Sequence, residues 1–158
     1  MNLNQFLVKA KINTYATEGE GGEKILDDNC RELIFEDAGF KYRDRYYGFD
    51  PFVGEEIVFE DNKAIWGMNY YGQITSKIIE GNLVKDFLDF LKESLRQIPE
   101  EIPFRGPKNF KNNDFEYTNQ VEGNVERFVG KEKIFYKNEE IYSLDYHGGK
   151  IKFKKYER

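Results

Sequence analysis

Residues 52–74 read FVGEEIVFEDNKAIWGMNYYGQI, and residues 128–150 read FVGKEKIFYKNEEIYSLDYHGGK. A shift of 76 residues, from 52 to 128, lays one over the other without a gap, and nine of 23 positions are identical. The shared pairs are Phe52/Phe128, Val53/Val129, Gly54/Gly130, Glu56/Glu132, Phe59/Phe135, Asn62/Asn138, Ile65/Ile141, Tyr70/Tyr146 and Gly72/Gly148. Chance would give about one or two identities at this composition, so the chain reads as internally duplicated. A one-residue gap extends the match upstream through Phe40/Phe115, Tyr42/Tyr117 and Gly48/Gly123, and the helices correspond at another offset through Phe6/Phe87 and Leu7/Leu88.

Working outward, each unit is a helix, a variable loop and about three antiparallel strands. Leu3, Phe6, Leu7 and Ala10 recur at helical spacing from Leu3 to about Tyr15, with Asn2 as N-cap. Asn82 is expected to cap a second helix running to about Gln97, whose stripe is Leu83, Val84, Phe87, Leu88, Leu91, Leu95 and Ile98, with Pro99 ending it. Strands are expected at 31–36, 40–47, 52–60, 64–74, 115–121, 126–136 and 140–147, with the basic tail 150–156 as a further edge strand. Residues 99–113 hold three prolines and read as irregular. The segment Thr17–Glu23 reads as an acidic loop; it follows a helix and lacks a Lys-Ser/Thr ending, so it is no phosphate cradle.

The expected fold is α+β, a single domain over 1–158 with repeats at about 2–77 and 82–153. The two units join their sheets about a pseudo-twofold axis into six to eight antiparallel strands, with two main helices on one face. Joining also covers a sheet edge and apolar surface that one unit alone would expose. In the last strand of each unit Trp66, Met68 and Tyr70 match Tyr142, Leu144 and Tyr146, so this parity faces the helices. The opposite parity pairs Gly67, Asn69 and Tyr71 with Ser143, Asp145 and His147, and is expected in solvent or along a cleft. The shared glycines read as bulges or turns.

The runs Tyr42-Arg43-Asp44-Arg45-Tyr46-Tyr47-Gly48, Pro51-Phe52-Val53-Gly54-Glu55-Glu56 and Trp66-Gly67-Met68-Asn69-Tyr70-Tyr71-Gly72 resemble an uncharacterised bacterial family labelled only as a domain of unknown function. Pro103-Phe104-Arg105-Gly106-Pro107 and Tyr146-His147-Gly148-Gly149 extend the resemblance over nearly the whole chain. Some relatives carry a Cro/repressor-type helix-turn-helix ahead of this domain, but nothing in this chain matches that motif. The resemblance implies an effector-sensing or interaction role and supplies no catalytic residues.

Composition narrows the classes. One cysteine, Cys30, excludes an intramolecular disulfide framework, and one histidine, His147, leaves no Cys/His zinc set. No metal or other cofactor is expected. A net charge of −5 argues against direct nucleic-acid binding. There is no signal-peptide layout and no apolar run of about 20 residues, so a cytoplasmic protein off the membrane is expected.

Two arginines beside a tyrosine, Arg43, Arg45 and Tyr47, could fork onto a carboxylate or phosphate, or simply pair with carboxylates across the strand. Asp44 needs a partner if buried, and an arginine or tyrosine hydroxyl would serve. Asn69, Tyr71, Asp145 and His147 complete the polar parity, and Arg105 sits in a basic loop with Lys108 and Lys111. Glu56 and Glu132 are read as surface carboxylates, with a symmetric acid/base pair as the alternative. The leading expectation is a non-enzymatic domain that senses a small molecule, anionic if the arginines hold it, at the junction of the repeats. One alternative is a small hydrolase or isomerase using a carboxylate and His147. The other is a protein-interaction module that pairs edge strands into a homodimer.

Overall fold

A computed structural model describes residues 1–17 and 22–155. Most of the Thr17–Glu23 loop, and the end of the tail, therefore lie outside the described residues. The elements in order are α1 (Leu3–Ile12), β1 (Lys24–Ile25), β2 (Arg31–Asp37), β3 (Phe40–Gly48), β4 (Phe52–Glu60) and β5 (Lys63–Ile74), followed by α2 (Asn82–Leu95), β6 (Asn109–Asn112), β7 (Phe115–Asn124), β8 (Arg127–Tyr136) and β9 (Glu139–Lys150).

Helix α1 starts with a capping box. The Asn2 side chain accepts the Gln5 N–H at 2.9 Å, and the Gln5 side chain accepts the Asn2 N–H at 3.1 Å. It stops earlier than its apolar spacing suggests, because the Thr14 hydroxyl bonds back to the Ala10 carbonyl at 2.8 Å and the Lys11 carbonyl takes turn bonds. In α2 the cap is Gly81, at φ 56°, with no side-chain cap bond; Asn82 is the first helical residue.

The strands form one open antiparallel sheet in the order β1-β2-β3-β4-β5-β9-β8-β7-β6. Nine strands replace the six to eight expected. The additions are the two edges, β1 and β6, and β6 comes from the segment read as irregular. Its Asn-Phe-Lys-Asn sequence carries little strand signal, but Phe110 stacks on Phe90 of α2 at 5.7 Å and pairs with Tyr117. The tail residues 151–155 form no strand. Two-residue hairpin loops at Ala38-Gly39, Asp61-Asn62 and Lys137-Asn138 all have positive φ, the geometry that matches the twist of paired strands.

Strands β5 and β9 meet at mid-sheet, with Tyr70 directly opposite Tyr146. A bulge interrupts β4–β5 after Val58, and another interrupts β8–β9 after Ile134. The carbonyls of the looped-out Ile65 and Ile141 accept the N–H groups of Ile151 and Thr75. Both helices pack on one face: Phe6 against Phe40 at 5.1 Å, Phe87 against Tyr142 at 5.3 Å, and Phe90 against Phe115 at 5.0 Å. Trp66, Met68, Tyr70, Tyr142, Leu144 and Tyr146 all point into this core, as their parity predicted.

Gly48 and Gly123, near the ends of β3 and β7, have φ of 85° and 93°, whereas Gly54, Gly130, Gly72 and Gly148 lie within strands and none of these four has a positive φ. Gly54 and Gly130 lie in β4 and β8, beneath the rings of Tyr70 and Tyr146. An added Cβ would come within 2.2 Å of Tyr70 Oη and 2.0 Å of Tyr146 Cζ. These glycines make room for the neighbouring strand's aromatic ring. Among the described residues no helix is long and apolar enough to cross a membrane.

Candidate functional site

Among the described residues, strand alternation buries four polar side chains on the helix side: Asp44 on β3, Glu56 on β4, Asn119 on β7 and Glu132 on β8. A charge placed in a core needs partners. Glu132 has them in full. Arg105 reaches it with two bonds, Nε to Oε2 at 3.0 Å and Nη2 to Oε1 at 2.9 Å, and the hydroxyls of Tyr117 and Tyr142 also donate to it. Tyr117 accepts the Gly106 N–H, Asn119 Nδ2 donates to the Gly106 carbonyl, and Tyr146 donates to Asn119 Oδ1 at 2.8 Å. The Pro-rich connection is thereby pinned over β7 and β8.

On the other side of the sheet's midline the cluster is incomplete. Lys11 of α1 donates to Glu56 Oε2 at 2.6 Å and to the Phe104 carbonyl, and its ammonium lies 5.6 Å from the Trp66 ring. Glu56 Oε1, Tyr42 Oη, Trp66 Nε1 and Tyr15 Oη are buried with no hydrogen-bond partner among the described residues. Asp44 accepts one hydrogen bond, from Tyr70 Oη at 2.6 Å, and among the described residues no cation lies within ion-pair distance of it. Burial first, and the nearby Glu56 second, push the Asp44 carboxyl up to about 7; Tyr70, Lys11 and Arg105 pull the other way. Burial lowers Lys11 against the pull of Glu56. Burial also raises the phenols of Tyr15, Tyr42 and Tyr70, keeping them as neutral hydroxyls.

A cavity of about 640 Å³ opens onto this incomplete side, between α2 and the core face of β2–β5. Leu88, Leu91 and Leu95 of α2 form one wall with Leu33 and Ile74. Seven aromatic residues contribute, among them Tyr15, Tyr46, Phe49, Phe52 and Tyr70. The charged groups at its surface are Asp44, Arg105, Arg31 and Lys92. Arg105 is engaged by Glu132 and lies 5.2 Å from the Tyr15 ring, and Arg31 pairs with Glu23, which also accepts from Tyr46. No group of three or more His, Cys, Asp or Glu side chains that could hold a metal ion occurs among the described residues.

The residues singled out from sequence divide between the two faces. Asp44 and Arg105 are buried on the helix side. Arg43, Arg45, Tyr47, Asn69, Tyr71, Asp145 and His147 share the open face. There Arg45 is followed across the sheet by Glu55, Asn69 and His147, and Tyr47 by Val53, Tyr71 and Asp145. Arg43 lies over the Phe59 ring at 5.0 Å, Arg45 pairs with Glu32 at 2.6 Å, and Asp145 pairs with Lys131 at 3.4 Å. His147 is exposed on this face, while Glu56 and Glu132 lie on the opposite one. The surface reading of Glu56 and Glu132 is overturned, since both are fully buried. The signal was present: a glutamate at core parity, repeated in both matched segments. Lys11 and Tyr15 gave no comparable signal.

No curated protein and no solved structure matches the chain. A family model, DUF5680, a domain of unknown function, matches residues 44–151, which run from Asp44 through both strands of the sheet's centre to the end of β9. The chain belongs to the DUF5680 family.

Proposed function

We propose that this domain binds a small molecule in the cavity between α2 and β2–β5, as a sensing or interaction domain and not as an enzyme. The observation that carries this reading is the cavity itself. Its volume is in the range of ligand sites, its walls are apolar and aromatic, and a few polar groups converge at one end. Among the described residues those groups include Asp44, a buried carboxyl without a counter-ion, and Tyr15, a buried phenol without a hydrogen-bond partner.

The internal duplication supports the placement. We infer that the halves, about 2–77 and 82–153, descend from one unit and have diverged at their polar centres. Tyr142 donates to Glu132 where Trp66 stands beside Glu56, and Asn119 stands where the first half has Asp44. One half closes its cluster internally; the other opens onto the cavity. A hydrolase or isomerase built on His147 and a buried carboxylate finds no support, because the two lie on opposite faces of the sheet.

A thermal-shift screen of metabolites on the wild type and Leu91→Trp tests the proposal. A ligand binding the native state raises Tm as RT ln(1 + [L]/Kd) predicts. At least one compound should raise the wild-type Tm, and the indole filling the cavity should abolish that shift. No stabilising compound, or an equal shift in Leu91→Trp, refutes it.

The open face favours a second role. Tyr47, Val53, Tyr71 and Val129 are about half exposed there, on a face against which no helix packs among the described residues. Light scattering across concentrations should show a dimer if this face joins two copies, and a monomer throughout removes that reading.

A further inference from the structure

We propose that the cavity takes a ligand with a cationic head and an apolar body, a protonated amine or quaternary ammonium, whose charge is received by Asp44 and the surrounding aromatic rings. This rests on the cavity being the ligand site.

The argument is a balance of charge. Two buried ion pairs, Lys11–Glu56 and Arg105–Glu132, neutralise themselves. Glu32, also buried, pairs with Arg45 on the open face, so Asp44 is the buried acid left without an ion-pair partner among the described residues. When ionised it leaves the interior one negative charge in excess, held by a single hydrogen bond from Tyr70. The groups facing it are Lys11 from α1, Tyr15 just beyond α1, Tyr42 and Tyr46 of its own strand, Glu56 of β4, Tyr70 of β5 and Arg105 of the connection. Neither cation is free to serve Asp44: Arg105 has both arms of its fork on Glu132, and Lys11 is divided between Glu56 and a carbonyl. A ligand's cation would supply the missing partner.

The walls suit such a head. Aromatic faces attract cations, and a cage of rings around a carboxylate recognises quaternary ammonium groups through contacts that a neutral isostere cannot make. The leucines of α2 suit the apolar remainder. An anionic ligand meets the opposite arrangement. It would sit against Asp44, with Arg105 and Arg31 already paired, leaving only Lys92, which has no ion-pair partner among the described residues and contacts no carboxylate of the floor.

Three ligands with one skeleton separate the outcomes: benzyltrimethylammonium, neopentylbenzene and phenylmethanesulfonate, titrated calorimetrically into the wild type, Asp44→Asn and Leu91→Trp. The cation should bind the wild type about tenfold or more tightly than the neutral compound near pH 8, a ratio equal to about 1.4 kcal/mol. Asp44→Asn should erase that ratio while still binding the neutral compound. Within the wild type, the cation's affinity should fall as pH drops below about 7 and the carboxyl takes up a proton, while the neutral compound's stays level. This second measurement holds even if Asp44→Asn fails to fold. Equal affinities for all three, or a preference for the sulfonate that Lys92→Gln removes, overturns the charge assignment and leaves the cavity as a ligand site. Absence of binding by all three overturns both.

Discussion

Tyr70 and Tyr146 stand opposite each other across β5 and β9, and each ring covers a glycine of the next strand outward, Gly54 or Gly130. Each hydroxyl crosses that strand to a polar side chain one strand further out, Asp44 or Asn119. Glycine, ring and acceptor thus form one unit on each side of the sheet's midline. Gly54→Ala and Gly130→Ala should each destabilise the fold by about 1–3 kcal/mol, the usual cost of forcing atoms into a filled core. Urea denaturation measures this. Because the clash is with the ring, Tyr146→Leu should shrink the Gly130→Ala penalty in a double-mutant cycle. Simple additivity would place the strain elsewhere.

Tyr42 and Tyr117 occupy matched inward positions on β3 and β7, but only one hydroxyl has partners. Tyr117 donates to Glu132 and accepts from Gly106 N–H; Tyr42 Oη has no partner among the described residues. Tyr117→Phe should cost about 1–3 kcal/mol, since it leaves a buried N–H unpaired. Tyr42→Phe should be neutral or stabilising, because it removes a buried hydroxyl that gains nothing. Equal losses in the two variants would mean that the two halves are satisfied alike, contrary to the bonding pattern.

Local signals carried the fold a long way. The alternation of Trp66, Met68 and Tyr70 identified the core face, and the breaks between the strands expected at 31–36 and 40–47 and at 52–60 and 64–74 coincide with hairpin loops. Edge strands were harder, since β6 is held by Phe110 against Phe90 and by pairing with β7, both remote in sequence. The site was legible only in part. Asp44 was read as needing an arginine or a tyrosine hydroxyl if buried; it is buried, and Tyr70 provides the hydroxyl from 26 residues away. The cavity was not legible, because one wall is α2, which packs on β6, β7 and β9 and turns its leucines toward the first half's strands, a placement no local pattern specifies. Polarity pointed to the open face, where Arg43, Arg45 and His147 meet solvent and their own neighbours. The polar residues of the core face were hidden among aromatics.

Arg105 and Lys11 hold corresponding glutamates by different geometry. Arg105 spans both oxygens of Glu132, whereas Lys11 reaches one oxygen of Glu56. Removing one partner of a buried pair leaves an uncompensated charge, at about 3–5 kcal/mol. Arg105→Met and Lys11→Met should both fall in that range by urea denaturation. Arg105→Lys should also lose stability, by about 1–3 kcal/mol, because a single ammonium cannot replace the planar fork. A silent Arg105→Lys would show that the second bond to Glu132 contributes nothing.

Asp44 should give the domain a pH dependence of unusual sign. In the folded chain its carboxyl keeps a proton up to about pH 7, against 3.8 for the ordinary group. Between those values the folded state binds more protons than the unfolded state, so stability falls as pH rises through the window and levels off above it. Exposed carboxyls act oppositely: hydrogen bonds from Tyr47, Lys9 and Lys85 lower Asp28, Asp37 and Asp89, whose contributions are lost only as pH falls below the ordinary carboxylate range. Comparing wild type with Asp44→Asn cancels those shared terms. The amide still accepts from Tyr70, as Asn119 accepts from Tyr146. The variant should therefore gain on the wild type steadily from about pH 4 to about pH 7 and stay more stable above it, read from urea midpoints across the range. A difference that stays constant with pH would show that Asp44 ionises freely in the fold, and that the interior already holds the cation it lacks here.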